Sequence, residues 1–354
     1  MYAPADQRRR HAGTRCVVGL ITLLLISACR PAHSPKPPAA QATNRPVVAG
    51  YISPSNPLAL SSLDLGRRRA RLNEISPVLY TADTTGAVVA ATAADALVSR
   101  ARALHLTIIP TVQNYRRGLW DGALIAAILD DRNRRSRHVQ QLVSVVVHDG
   151  WNGIDIDYEN LPAADAANYL GFLRQLGVEL HRAGKLLTVA VPAKTTDGDD
   201  PTTQAYDYRA IGAIADEIRV MAYDHAWETS PPGPVAPITW VAHVLDYARH
   251  TIPPSKLMLG IAAYGYDWVG NRGVSLSADA AAALAASHHA DLRWDASSES
   301  EWYRYTAAGR EHTVWFENAA AMIQKTRLAR SARIRGIVVW ELGGEDPTFW
   351  NSQH

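Results

Sequence analysis

Nine consecutive residues, Trp151-Asn152-Gly153-Ile154-Asp155-Ile156-Asp157-Tyr158-Glu159, hold a carboxyl at every second position from Asp155 onward. Extended backbone sends successive side chains to opposite faces, so Asp155, Asp157 and Glu159 share one side while Ile154, Ile156 and Tyr158 share the other. The three carboxyls then stand in a row at ~6.6 Å intervals. Stability alone would place Val or Leu there, because like charges in a low-dielectric interior repel and raise one another's pKa. The row makes chemical sense if protons are held, shared and passed along it. The bland alternative is a surface strand with a solvated acidic face, which requires Ile154 and Ile156 to pack on helices while the acids stand in water.

The elements that must position this row are readable from alternation. Short β-branched or apolar runs occur at Val47–Tyr51, Ile75–Tyr80, Leu106–Val112, Gly153–Asp157, Leu186–Val191, Glu217–Ala222, Leu257–Ile261 and Gly336–Trp340. Between them lie amphipathic stretches at Leu60–Leu72, Ala93–Leu104, Arg134–Val147, Ala164–Ala183, Tyr206–Ala215, Thr239–Tyr247 and Ala319–Arg330. Strand and helix in strict alternation predict a parallel α/β fold, and eight repeats predict a (β/α)8 TIM barrel. The longest break in the rhythm, Asn271 to Phe316, is rich in Trp, Tyr and turn residues; it predicts a small α+β insertion between strand 7 and helix 7.

Barrel active sites lie at the C-terminal ends of the strands. Trp340, Tyr51, Trp120, Trp227 and Trp268 all fall at or just beyond such ends, where flat rings offer stacking surfaces to a ligand or simply pack the rim. Asp83, Gln113, Asn114 and Glu341 fall on the same side and read mostly as solvated turns or supporting groups. No Cys/His metal spacing and no glycine-rich phosphate loop is present, so no metal or other cofactor is expected.

The N-terminal segment reads as an address. Arg8, Arg9, Arg10 and Arg15 precede the apolar run Val17 to Ile26, too short for the ~20 residues a bilayer span needs. It ends in Ile26-Ser27-Ala28-Cys29, which resembles the lipobox of bacterial lipoproteins; residues 1–28 are then a signal peptide and Cys29 the lipidated first residue of an exported, membrane-anchored protein. Residues 29–46 follow as a tether with prolines at 31, 35, 37, 38 and 46, spanning roughly 50 Å at ~3.1 Å per residue. Cleavage removes four Arg and one Asp from 36 basic and 34 acidic residues, leaving 32 and 33. The basic balance therefore belongs to the export segment and gives no reason to expect nucleic acid. The mature chain keeps Cys29 alone, so no disulfide holds residues 47–354, expected as one monomeric barrel with its insertion at about 271–316.

The acidic run resembles the DxxDxDxE signature of glycoside hydrolase family 18, the chitinases and their relatives, with Asn152 in place of the usual first Asp. Met221-Ala222-Tyr223-Asp224 looks like the family's M-x-Y-D segment, Trp340 matches the tryptophan that floors its sugar subsite, and Gly50-Tyr51 matches its Gly-Tyr pair. The segments Ile75-Ser76-Pro77 through Tyr80, Pro231-Pro232-Gly233-Pro234 and Tyr264-Gly265-Tyr266-Asp267-Trp268 look closest to the spore-germination and cortex-lytic branch, which acts on peptidoglycan.

This resemblance implies retaining, substrate-assisted hydrolysis of β-1,4-linked N-acetylglucosamine bonds in chitin or peptidoglycan-type glycans, with the sugar's own acetamido oxygen as nucleophile. It implies that Glu159 is the proton donor, that Asp157 orients the acetamido group and that Asp155 shares a proton with Asp157. Tyr223 would hold the acetamido oxygen, Asp224 would support it, and Trp340, Tyr51, Met221 and Trp268 would contact substrate. Two other readings fit the motifs less well. A carbohydrate-binding lectin on the same barrel would typically lack the final Glu, present here as Glu159. A metal-dependent hydrolase using Asp155, Asp157 and Asp224 finds no histidine in any of these motifs.

Overall fold

The computed structural model describes residues 46–351 apart from residue 70, residues 91–93 and residue 199. The expected signal peptide, Cys29 and the tether up to residue 45 lie outside the described residues, as does the expected start of a helix at Ala93.

Eight parallel strands close into a barrel. They are β1 (Val47–Ile52), β2 (Glu74–Ala82), β3 (in two pieces, Thr107–Ile108 and Thr111–Gln113), β4 (Gly153–Asp157), β5 (Leu186–Pro192), β6 (Glu217–Met221), β7 (Leu257–Ala262) and β8 (Gly336–Trp340). Each pairs with its sequence neighbours, and β1 closes the ring by pairing with both β8, at Val47 with Gly336, and β2, at Ala49 with Glu74. β3 breaks at Ile109-Pro110, where a proline has no N–H to give the ladder.

Helices cover the outside. The helix Ala166–Arg182 shows why: its apolar stripe buries Tyr169, Phe172, Leu173, Leu176 and Leu180 against the barrel. Asp131 caps the helix Arg132–His148 by accepting from the Asn133 and Arg134 amides. One further helix, Gly122–Asp130, lies where no amphipathic period was expected. Its sequence GALIAAILD is apolar nearly all round, so there is no polar face to make a pattern.

Between β7 and the helix Ala319–Ser331 stands a five-stranded antiparallel sheet. Its strands are Tyr264–Val269, Arg272–Ser277, Arg293–Asp295, Ser300–Ala307 and Arg310–Phe316. The helix Ala278–Ser287 packs on one face, and Ala278, Ala281, Ala285, Tyr303, Val314 and Phe316 form its own small core.

The barrel interior is divided by chemistry. Ala49, Tyr51, Met258 and Val338, from β1, β7 and β8, make an apolar cluster. Opposite them Glu74, Ser76, Thr111, Gln113, Asp155, Asp157, Thr188, Glu217 and Arg219 are buried polar residues of β2 to β6. Interiors of this fold are usually filled by branched apolar side chains, so this half of the barrel has been given over to charge.

Candidate active site

The acid row occupies the centre of that polar half. Ile154 and Ile156 are fully buried in the core under the helices, while Asp155 is 0% and Asp157 2% exposed on the opposite side. The solvated surface strand is thereby excluded. Asp155 accepts from Thr188 Oγ1 at 2.5 Å and Thr111 Oγ1 at 3.1 Å, and lies 3.3 Å from Arg219 Nη1. Asp157 accepts from Gln113 Nε2 at 2.8 Å through Oδ2, and its buried Oδ1 has no hydrogen-bond partner among the described residues.

Burial, then the charge of Asp155, pushes the Asp157 pKa up, with Gln113 and Arg219 acting the other way. Glu159 follows at the end of β4 and is partly exposed. The protein packed around its carboxyl, then the charges of Asp157 and Asp224, hold its pKa well above the ordinary carboxyl range. A carboxyl that holds its proton more tightly than usual and reaches solvent is equipped to act as a general acid.

The backbone that carries Glu159 is held on both sides. Asn114, fully buried just beyond β3, donates from Nδ2 to the Glu159 carbonyl at 2.8 Å and accepts from the Glu159 amide at 2.9 Å. Tyr206 donates to the Tyr158 carbonyl at 2.8 Å. Gly122 is required here, since a Cβ on it would lie 1.8 Å from the Asn160 carbonyl oxygen. Asn114→Ala orphans the two Glu159 backbone groups, and we expect it to lower stability by roughly 1–3 kcal/mol. Urea unfolding measures this directly; an unchanged midpoint and slope would show that the bracket carries no such weight.

Across the barrel mouth, β6 runs into Tyr223 and Asp224. Tyr223 is buried, and Gly260 on β7 makes room for it, because a Cβ there would meet the Tyr223 ring at 2.9 Å and the Val220 carbonyl at 2.6 Å. Asp224 sits in the left-handed region at φ 57°, a conformation unusual for a non-glycine residue and one that needs support. That support comes from the insertion sheet, whose Tyr264 and Tyr266 hydroxyls donate to Asp224 Oδ1 at 2.5 and 3.1 Å. An open cleft of about 560 Å³ lies here, lined among others by Gln113, Trp120, Asp224, Tyr264, Tyr266 and Trp340.

Not every residue singled out in the sequence lies in the cleft. Trp340 does, as does Glu341, whose pKa burial raises against the hydrogen bonds from Asn56 and Ser53. Tyr51 and Trp268, expected to touch substrate, are 2% and 1% exposed. A ring with no free face cannot stack on a sugar. Tyr51 lies edge-on against Trp340 with centroids 5.0 Å apart, and Trp268 donates Nε1 to the Trp227 carbonyl at 3.1 Å. Both therefore support the walls. Met221 is half-buried against the core at the end of β6. Trp227 is 47% exposed, and Trp120 packs on Tyr115 in a small hairpin at the cleft. Asp83 closes an exposed turn by accepting from Thr85 and Ala87. Asn152 Oδ1 accepts from the Ile108 amide at 2.8 Å, tying β4 to β3 below the row.

Sequence reasoning passed over Arg219, Glu74 and Glu217. The signal was present, because Glu217-Ile218-Arg219-Val220 and Glu74-Ile75-Ser76 show the same period-two alternation as the acidic run. Gln113 and Asn114 were read as turn or supporting residues, and the structure bonds both to the row.

Comparison with known proteins adds the following. The sequence profile "Glycosyl hydrolases family 18" matches residues 118–346. The sporulation glycosylase YdhD of Bacillus subtilis is 34% identical over 253 residues, 70% of this chain and 60% of that protein. The cortical fragment-lytic enzyme of Bacillus subtilis is 29% identical over 310 residues, 85% of this chain and 72% of that one. The crystal structure of a chitinase from Chromobacterium violaceum superposes with a TM-score of 0.80 at 33% identity, covering 87% of this chain and 97% of that chain.

Proposed function

The chain belongs to glycosyl hydrolases family 18, and from that membership we propose that it hydrolyses β-1,4-linked N-acetylglucosamine bonds in chitin or peptidoglycan-type glycans. The observation that carries this reading is the row Asp155, Asp157, Glu159, its first two members buried and its last partly exposed, beside Gln113, which bonds Asp157 and lines the same cleft as Trp340 and Asp224. The relatives named for spore cortex and for chitin both lend support, and they leave two polymers in play.

In the proposed mechanism Glu159 gives its proton to the leaving glycosidic oxygen, then takes one from the incoming water. The acetamido oxygen of the sugar attacks its own anomeric carbon, so configuration is retained through an oxazolinium ion. Asp157 hydrogen-bonds the acetamido N–H through its open Oδ1 and stabilises the positive charge. Tyr223 holds the acetamido oxygen, and Asp224 supports the group from the far wall. Product analysis on chitin oligomers beside purified peptidoglycan tests the reading. Release of N-acetylglucosamine-ended fragments from one or both is expected, and no release from either would refute it.

We also propose that Cys29 is lipidated and that the barrel works at a membrane on the exported side. The support is the basic head, the short apolar run and the cysteine that ends it. In fractionated cells the protein is expected with membranes, and Cys29→Ala should release it or block its processing. Soluble wild-type protein would remove the anchor.

A further inference from the structure

We propose that Arg219 is a positioning residue of this site, which by pairing with Asp155 keeps that carboxylate from taking a proton and leaves Asp157 as the carrier. The inference rests on the catalytic reading above and adds a residue to it.

The groups that bond or pair with Asp155 are donors or a cation, while Asp157 and Tyr51 are further titratable groups that feel its charge. Oδ1 receives Thr188 Oγ1 and lies beside Arg219, and Oδ2 receives Thr111 Oγ1. A guanidinium has no acceptor and does not deprotonate in proteins. A proton on Oδ1 would therefore be set against Arg219, which can only donate, although the threonine hydroxyls can turn to accept one. Asp157 differs, since Gln113 fills one oxygen and the other is open. Of the two carboxyls, only Asp157 has a vacant oxygen on which to carry a proton.

Arg219 is itself held through both of its terminal nitrogens. It is 0% exposed, donates to Ser76 Oγ and Glu74 Oε1 at 2.5 Å each, lies 3.5 Å from Glu217 Oε2 and stacks over the Tyr51 ring at 5.4 Å. A mere strut for Glu74 and Glu217 is an insufficient account of it. Glu217 already has Arg335 at 2.5 Å. Burial, then the charge of Glu217, raises the Glu74 pKa and favours its neutral form. Asp155 has no cation but Arg219 among the described residues. The anion that depends on Arg219 is then Asp155.

The test is the pH profile of kcat for Arg219→Met, made also with Glu74→Gln so that Glu74 is not left without its partner should the single variant fail to fold. Loss of an opposite charge at this range raises a carboxyl pKa by about 1–3 units. The acid limb, where Asp155 takes the second proton of the pair, should move up by about 1–3 pH units, and Arg219→Lys should recover part of the shift. In an Asp155→Asn background the Arg219 substitution should move the limb no further, because the effect runs through Asp155. Carbon-13 titration of the aspartate carboxyls reads the same shift in Asp155 without turnover. A protein inactive on every glycan would fail the catalytic reading while leaving this measurement intact. A folded Glu74→Gln/Arg219→Met protein whose Asp155 titration and acid limb are unchanged would overturn the proposal.

Discussion

Replacing Glu159 with glutamine is expected to lower kcat on an N-acetylglucosamine oligomer by at least about 10²–10⁴-fold, the usual worth of a positioned general acid, while leaving oligomer affinity nearly unchanged. The amide matches the carboxyl in shape but has no proton to give. The affinity should survive because Trp340 and Asp224, which line the cleft, are untouched. Wild-type Glu159 has its pKa held well above the ordinary range by burial and by the charges of Asp157 and Asp224. Its acid form therefore persists to higher pH than that of a free glutamate, and the alkaline limb of the wild-type profile should record its loss. That limb should be absent in the variant. Titration calorimetry and steady-state kinetics on one preparation separate the two effects, and a variant that turns over at the wild-type rate would take Glu159 out of the mechanism.

Asp157→Asn should lower kcat by about 10²–10³-fold, in the range seen when a group that stabilises developing charge is removed. The argument is electrostatic. Asp157 is 2% exposed with one unpartnered oxygen, so a charge forming on the bound acetamido group would meet a carboxyl in a low-dielectric pocket. Asparagine keeps the shape but can neither give up a proton nor take on a charge as the ion forms. A thiazoline analogue of the cyclised intermediate should inhibit the wild type strongly, as transition-state mimics do, and lose more affinity in the variant than an ordinary oligomer does. Equal losses for the two ligands would mean that Asp157 only binds sugar.

The legible part of the molecule was the part written in periodicity. The runs at Gly153–Asp157 and Gly336–Trp340 are strands with those bounds because both of their faces are buried, which forces continuous β-branched sequence between the polar insertions. The helix Gly122–Asp130 escaped because an all-apolar segment has no face to mark. The acid row could be read because three carboxyls inside a barrel violate ordinary composition. Its partners were harder, since Arg219 comes from β6 and Glu74 from β2, and no spacing along the chain states that they meet. Tyr51 and Trp268 misled for a related reason. Position at a strand end gives the height of a side chain in the barrel but not what packs on it, and here Trp340 packs on Tyr51 while Trp268, within the insertion sheet, bonds the Trp227 carbonyl.

The central claim is that the nucleophile belongs to the substrate, and comparing oligomers of equal length that differ only at the 2-position tests it most directly. Fully N-acetylated oligomers should be cleaved with retention at the anomeric carbon, while fully deacetylated oligomers and cellulose fragments should show no turnover at the same enzyme concentration. Cleavage of the deacetylated or cellulose series at rates comparable to the acetylated one would contradict the mechanism, because neither carries the acetamido oxygen that must attack.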